Sequence, residues 1–275
     1  MPWFENRLGE QLWYEDAGSG IPLVFLHGWC MSSAVWQNQF IHFEDSFRLI
    51  VPDLRGHGKS RAVSGQINFE RFAADLADLV QYLRLEKIIL IGWSMGAQIA
   101  LQALNDLSDS LAGLVLVSAT ACFTARDDFP YGLAHNEASG MRLKIVRNLK
   151  RALDGFHGRM FAKGEIGSPL EAVRVKELLD SVVLPDASAA VDALDSLVAT
   201  DMRPLLNKIS VPVLILNGDC DLICLPHASD YLVNHIKSSF QKVVTGCGHA
   251  FFITRSEQFN NEINQYARRV CDLDA

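Results

Sequence analysis

The sequence predicts an α/β protein: a mainly parallel central sheet with helices on both faces and an inserted helical cap. Three observations lead there. Continuous apolar runs such as Leu23-Val24-Phe25-Leu26, Ile88-Ile89-Leu90-Ile91 and Val213-Leu214-Ile215-Leu216 mark strands buried on both faces, as parallel strands are. Helical periodicity separates these runs, and strand–helix alternation builds parallel sheets through right-handed crossovers. Between residues 121 and 203 the rhythm stops and only helical segments remain. That stretch is expected to be a helical cap (lid), with 1–120 and 204–275 forming the core.

The elements follow in order. Residues 11–15 alternate weakly and turn at Gly18-Ser19-Gly20, which reads as an N-terminal antiparallel hairpin. The strand Pro22–Leu26 ends in His27-Gly28-Trp29, and Ser32 to Phe43 reads as a helix with Val35, Trp36 and Phe40 inward. Phe47–Val51 is a strand that leads into a tight polar loop, Pro52-Asp53-Leu54-Arg55-Gly56-His57-Gly58-Lys59-Ser60. The clearest amphipathic helix spans 69–84, with Phe69, Phe72, Ala73, Leu76, Leu79, Val80 and Leu83 at three- and four-residue spacing; Asn68 is its N-cap. Strand 87–91, helix 95–107 and strand Gly113–Val117 come next. The insertion carries helices at 137–154, 169–183 and 186–200. Strands at Val211–Leu216 and Phe240–Val244 and a helix over 255–270 complete the chain. Right-handed crossovers place every loop that follows a parallel strand on one sheet edge, where open α/β sheets bind ligands. His27-Gly28-Trp29, Asp53 and Ser94 therefore share that edge.

Composition narrows the function classes. The chain has 275 residues, 49% hydrophobic and 21% charged, enough for one sizeable domain with an added lobe. No apolar run reaches the length of a membrane span, and Met1 to Asn6 lacks the basic and apolar regions of a secretory signal; a cytoplasmic monomer is expected. A net charge of -7 argues against nucleic-acid binding. The six cysteines are scattered, as reduced thiols are in a cytosolic enzyme. Cys220, Cys224, His227, Cys247 and His249 could be read as a zinc site, but the paired spacing of structural zinc sites is missing; no metal or cofactor is expected. A Cys220–Cys247 disulfide is an open alternative.

The chemistry centres on Gly92-Trp93-Ser94-Met95-Gly96, set between an apolar strand and a small-residue helix. This G-x-S-x-G pattern puts a serine on a sharp strand-to-helix turn, with glycines where the chain passes too close for a Cβ. The helix that starts after Ser94 has unpaired N–H groups, so the Met95 amide can receive an oxyanion. The Trp29 amide, after the flexible Gly28, is the second oxyanion donor. A serine needs a base, and the base needs a carboxylate to set its tautomer. In the order serine, acid, histidine, Asn217-Gly218-Asp219-Cys220-Asp221 and Gly246-Cys247-Gly248-His249 each follow a strand. His249 is the base; His57, in its glycine-rich loop, is the alternative, and His27 reads as structural. Asp221 is preferred to Asp219 because the loop needs length to curl towards His249; Asp219 is expected to bind turn amides, and Asp53 is a third candidate.

These motifs, Leu26-His27-Gly28-Trp29, the Pro52–Ser60 loop, Gly92–Gly96, Gly218–Asp221 and Gly248-His249, resemble the α/β-hydrolase superfamily over nearly the whole chain. The resemblance implies the α/β-hydrolase fold, with Ser94, Asp221 and His249 as triad and Trp29 and Met95 as oxyanion donors. Serine at the elbow sets the chain apart from the haloalkane dehalogenase and epoxide hydrolase branches, which carry aspartate there. Within the superfamily the chain is similar to the pimeloyl-[acyl-carrier protein] methyl ester esterases of biotin synthesis, in its pairing of Trp29 with Trp93 and in Ala125-Arg126-Asp127-Asp128-Phe129-Pro130; Ala97 stands where that family usually has a second glycine. The resemblance implies an acyl tunnel along Phe156 to Met160, and Trp29, Phe123, Phe156 and Met160 are the substrate-binding candidates.

The insertion adds a charge signal. Between 141 and 163 stand seven Lys and Arg residues against one acid, Asp154. On a helical wheel Lys144, Arg147, Lys150 and Arg151 share a polar face, and Met141, Ile145, Val146, Leu149 and Leu153 share an apolar one that packs on the core. The basic face suits an acidic carrier protein or a phosphopantetheine phosphate, with Arg142, Arg147, Arg151 and Arg159 as docking candidates; the alternative is an ordinary solvated face. The expected activity is hydrolysis of a carboxylic ester through an acyl-enzyme. A small-molecule esterase, a thioesterase and a carbon–carbon bond hydrolase share the same triad, whereas a ligand-binding relic would have lost a triad position, and none is lost.

Overall fold

Leucine and β-branched side chains on both faces of a strand can be satisfied only in the middle of a layered structure, and the middle of this sheet is built from such strands. In this computed structural model the described residues are 3–63 and 65–271; the first two residues of the N-terminal reading and the last four of the expected core lie outside them. The strands are β1 (Trp3–Glu5), β2 (Gln11–Ala17), β3 (Pro22–Leu26), β4 (Arg48–Pro52), β5 (Ile88–Trp93), β6 (Leu111–Val117), β7 (Val213–Gly218) and β8 (Ser239–Val244). Among the described residues they form one eight-stranded sheet in the order β1-β2-β4-β3-β5-β6-β7-β8. From β4 to β8 every pairing is parallel, while β1 and β2 add antiparallel edges. β3, β5 and β7 are buried at every residue.

The N-terminal hairpin exists, but its turn lies between Glu5 and Gln11, not at Gly18-Ser19-Gly20. The latter connects β2 to β3, and β4 lies between those two strands. Gly18 has a φ of 74°, and a Cβ there would lie 2.1 Å from the Phe47 carbonyl oxygen. Glycine marks this crossing point because the chain passes there in a left-handed conformation against another backbone.

The helices are α1 (Gln37–Phe43), α2 (Phe69–Tyr82), α3 (Met95–Gln102), α4 (Leu104–Leu107), α5 (His135–Arg147), α6 (Leu149–His157), α7 (Pro169–Ser181), α8 (Ala187–Ala199), α9 (Pro226–His235), α10 (Phe251–Thr254) and α11 (Ser256–Val270). The Asn68 side chain caps α2 by accepting the Arg71 N–H at 3.0 Å. The helix expected over 137–154 is two helices. Asn148 leaves the helical region at φ -164°, ψ 97°, and its side chain accepts the Arg151 N–H to cap α6. Asparagine competes for backbone donors in this way and favours caps over helix interiors. Ile145 and Leu153 are buried as the wheel expects, but Val146, expected on the apolar face and one residue on from Ile145 in α5, is 64% exposed.

Helices α5 to α8 lie between β6 and β7. The chain leaves and re-enters the core at neighbouring points. The Met202 N–H donates to the Ala121 carbonyl at 2.8 Å, and the Cys122 thiol donates to Asp201 Oδ1 at 3.0 Å.

Candidate active site

β5 ends at Trp93 and α3 starts at Met95, so Ser94 alone makes the turn. Its φ of 56° and ψ of -114° lie in a sparsely populated region that costs a non-glycine residue about 1–3 kcal/mol. Close packing holds it there. A Cβ on Gly92 would lie 2.5 Å from the Gly96 carbonyl oxygen, and one on Gly96 would lie 2.4 Å from that of Leu26. Between Ile88 and Leu101 only Ser94 is not buried, so the turn lifts one hydroxyl clear of an otherwise enclosed strand–helix unit.

The loop after β7 brings Asp221, and the loop after β8 brings His249. His249 Nδ1 donates to Asp221 Oδ2 at 2.8 Å, and both residues are about 1% exposed. Asp221 Oδ1 accepts the N–H groups of Ile223 at 2.7 Å and Cys224 at 3.0 Å. The carboxylate is thus locked by its own loop and presents one remaining oxygen to the imidazole. This bond places the imidazole proton on Nδ1 and leaves Nε2 as an acceptor. The Cys224 thiol, on the loop that holds Asp221, is buried. Burial, with the Asp221 charge beside it, pushes that thiol well up, so it stays protonated and does not compete as a nucleophile.

Other candidates are occupied elsewhere. Asp219 Oδ1 accepts the Gly246 N–H at 2.7 Å. Asp53 accepts the N–H groups of Ser33 and Lys59. His27 spans two loops, bonding the Gly28 carbonyl through Nδ1 and accepting the Leu54 N–H at Nε2. His57 Nδ1 bonds the Arg55 carbonyl. Burial lowers the His27 pKa to about 4; burial, then the neighbouring His27, lowers that of His57 to about 3. Both rings are neutral in the folded protein and charge on unfolding, so their contribution is complete above about pH 6.5 and is lost as pH falls, down to about 4 for His27 and about 3 for His57. Between pH 6.5 and 5, His27 alone is expected to remove about 2 kcal/mol of stability. Urea unfolding at pH 7 and pH 5 measures this. A doubly substituted His27→Asn, His57→Asn protein should be weaker at pH 7 but show a flatter pH dependence; an unchanged slope would contradict the assignment.

Trp29 follows β3, and Met95 is the first residue of α3, whose opening amides have no intrahelical acceptor. The Trp29 indole donates to the Ala190 carbonyl of α8 at 2.9 Å and meets the Phe156 ring edge-to-face, centroids 5.1 Å apart. Phe123 is buried in the loop after β6, and Met160 is buried beyond α6. The docking candidates divide. Arg142 is paired with Asp195, and Arg159 with Glu137. Lys144, Arg147, Arg151 and Arg159, with Met141 and Ala152, line a surface cleft of about 430 Å³.

Cys220 is exposed and Cys247 buried, and both are free thiols; the Cys220 N–H donates to the Cys247 carbonyl at 2.9 Å. Among the described residues no three His, Cys, Asp or Glu side chains are placed to hold a metal ion, and no helix is long and apolar enough to cross a membrane.

A family model described as alpha/beta hydrolase fold matches residues 21–256. The chain belongs to the alpha/beta hydrolase fold family. It is similar to a pimeloyl-[acyl-carrier protein] methyl ester esterase of Nitrosomonas europaea, 31% identical across 89% of this chain and 95% of the relative. It is also similar to a non-heme haloperoxidase of Rhodococcus erythropolis, 27% identical across 96% and 98%. Among solved structures, an esterase from Exiguobacterium antarcticum superposes with a TM-score of 0.89 at 29% identity, covering 97% of this chain and 98% of that one.

Two groups of this hydrolase that sequence reasoning did not assign to the site hold His249 from below. The Trp93 indole donates to the His249 carbonyl at 3.0 Å, and the Ser118 hydroxyl donates to the same oxygen at 2.8 Å. Ser118 stands directly after β6 on the edge that carries Ser94, with a φ of 45°; a polar residue directly after a buried strand on the ligand edge was the signal available.

Proposed function

We propose that this hydrolase is a serine carboxylesterase in which Ser94 is the nucleophile, His249 the general base and Asp221 the orienting acid. The observation that carries this reading is the Asp221–His249 bond. One carboxylate oxygen is saturated by two backbone donors, the other fixes the imidazole proton on Nδ1, and the serine projects from a strained elbow on the same sheet edge. Nε2 accepts the Ser94 proton as the hydroxyl oxygen attacks the ester carbonyl. The amides of Trp29 and Met95 receive the oxyanion; each such donor contributes about 3 kcal/mol to the transition state. His249 then returns the proton to the leaving alcohol. A water molecule deprotonated by His249 cleaves the acyl-enzyme, and Asp221 stabilises the charged imidazole without taking its proton.

The substrate we propose is the methyl ester of a carrier-bound pimeloyl chain, with methanol as the first product. The names of the esterase relatives support it, as does the cleft carrying Lys144, Arg147 and Arg151. A carrier protein rich in acidic groups, or a phosphopantetheine phosphate, matches that charge. Residues 121–203 act as the cap in this reading, with Trp29, Phe123, Phe156 and Met160 along the acyl path.

Changing both Arg147 and Arg151 to glutamate tests the carrier. The expected result is a fall of at least tenfold in kcat/KM on the carrier-bound methyl ester, with p-nitrophenyl acetate hydrolysis unchanged. Equal behaviour on both substrates would make the basic face plain solvated surface and the protein a small-molecule esterase.

A further inference from the structure

The insertion buries a carboxylate that the mechanism above does not use. Glu165 lies beyond α6 and is 2% exposed. Its Oε2 accepts the Gly248 N–H at 2.7 Å and the Ala162 N–H at 2.7 Å, and its Oε1 accepts the Thr254 hydroxyl at 2.5 Å. Gly248 directly precedes His249. On the other side of His249, the Ala250 N–H donates to the Met160 carbonyl at 3.0 Å. The fit is close: a Cβ on Gly248 would lie 2.6 Å from the Met160 carbonyl oxygen and 2.9 Å from the Ala162 nitrogen. The Arg255 guanidinium donates to the Glu165 backbone carbonyl at 3.1 Å, fastening the same segment to the α10–α11 junction.

These contacts divide the support of one residue between two parts of the chain. The carbonyl of His249 is held by Trp93 and Ser118, which stand at the ends of β5 and β6. The amides on either side of His249 are held by residues 160–165 of the insertion. We propose that Glu165 is a positioning residue for His249: it sets the height and tilt of the base loop, so that the imidazole bridges Asp221 and Ser94 only when the insertion is seated. The inference rests on the serine-esterase reading of the same site. A carboxylate suits the task because it accepts from two directions at once, and removing it leaves the Gly248 and Ala162 N–H groups without the acceptor they share, whereas the Thr254 hydroxyl keeps the Phe251 carbonyl; a buried donor left unpaired is the costly case for a hydrogen-bonding group. Misplacing a catalytic group by about 1 Å can cost on the order of a hundredfold in rate.

The test is the rate at which a fluorophosphonate labels Ser94, measured with kcat and KM for p-nitrophenyl acetate. Glu165→Asp withdraws the carboxylate from Gly248 while keeping its charge, and Glu165→Ala removes it. Both are expected to slow labelling and lower kcat at least tenfold, with KM within about twofold of the parent. Glu165→Gln can turn its oxygen to the two amides and its NH2 to the Thr254 oxygen, and is expected to recover labelling to within about threefold. Folded Asp or Ala variants that label at the parent rate would overturn the proposal, as would a Gln variant as slow as Ala. If the Ala variant does not fold, the Asp and Gln pair decides. A parent protein that the probe does not label would instead overturn the esterase reading, which separates the two failures.

Discussion

Ser94→Ala is expected to lower ester hydrolysis by about 10⁶-fold in kcat, the loss that follows when a nucleophile that works as a unit with its base is removed. The protein should remain folded. Ser94 holds its φ of 56° because Gly92, Gly96 and the end of β3 pack around it, not because of its hydroxyl, and alanine meets the same backbone constraint as serine. What is lost is the oxygen that forms the acyl-enzyme. Any residual rate comes from polarisation of the ester by the Met95 and Trp29 amides and amounts to about 10³–10⁴ over water. Steady-state kinetics with a thermal melt checks this, and labelling by a fluorophosphonate should vanish. A folded alanine variant with full esterase activity would remove Ser94 from the mechanism.

Asp221→Asn is expected to cost about 10⁴-fold in kcat with little change in KM, although it replaces one oxygen by nitrogen. The surroundings of Asp221 decide which atom goes where. The position of Oδ1 faces two backbone donors, Ile223 and Cys224, so the amide must put its carbonyl oxygen there. Its NH2 then points at His249 Nδ1, which becomes an acceptor, and the imidazole proton moves to Nε2, the atom that must receive the Ser94 proton. The variant therefore carries the wrong tautomer by construction. Nitrogen-15 chemical shifts of the imidazole report the tautomer directly, and an Asn variant with parent kcat would show that the acid is not needed.

The elbow could be read from the chain because its sterics act within five residues, where glycine spacing and flanking apolar runs carry the information. The acid and base loops could be read because a buried strand precedes each one and the crossover rule sends both to one edge. Choosing Asp221 over Asp219 needed only loop length, and Asp219 turns back to the Gly246 amide. Less legible were interactions between residues far apart in sequence. Nothing near Glu165 announces that its carboxylate meets Gly248, and the indole of Trp93 carries no mark of its bond to the His249 carbonyl. The break at Asn148 shows a different limit. A helical wheel assumes one unbroken helix, and the cap at Asn148 ends that assumption for every later residue; Val146, still before the cap, fails for another reason, since it stands one 100° step from the buried Ile145 and faces solvent.

The neck between Ala121 and Met202 has a consequence for how such a protein can change. The insertion leaves and re-enters the core through two strands of backbone that are hydrogen-bonded side by side, so it is attached like a cassette with adjacent leads. Replacing it with another segment of similar end-to-end spacing requires no change in the register of β6 and β7, and adds loop-closure entropy that grows only slowly with length. The reacting end of the molecule and the part that surrounds it can thus diverge at different rates. A graft that keeps the elbow and both loops must still supply acceptors for the Gly248 and Ala250 amides, which makes those two bonds a compatibility requirement between a transplanted cassette and its new host.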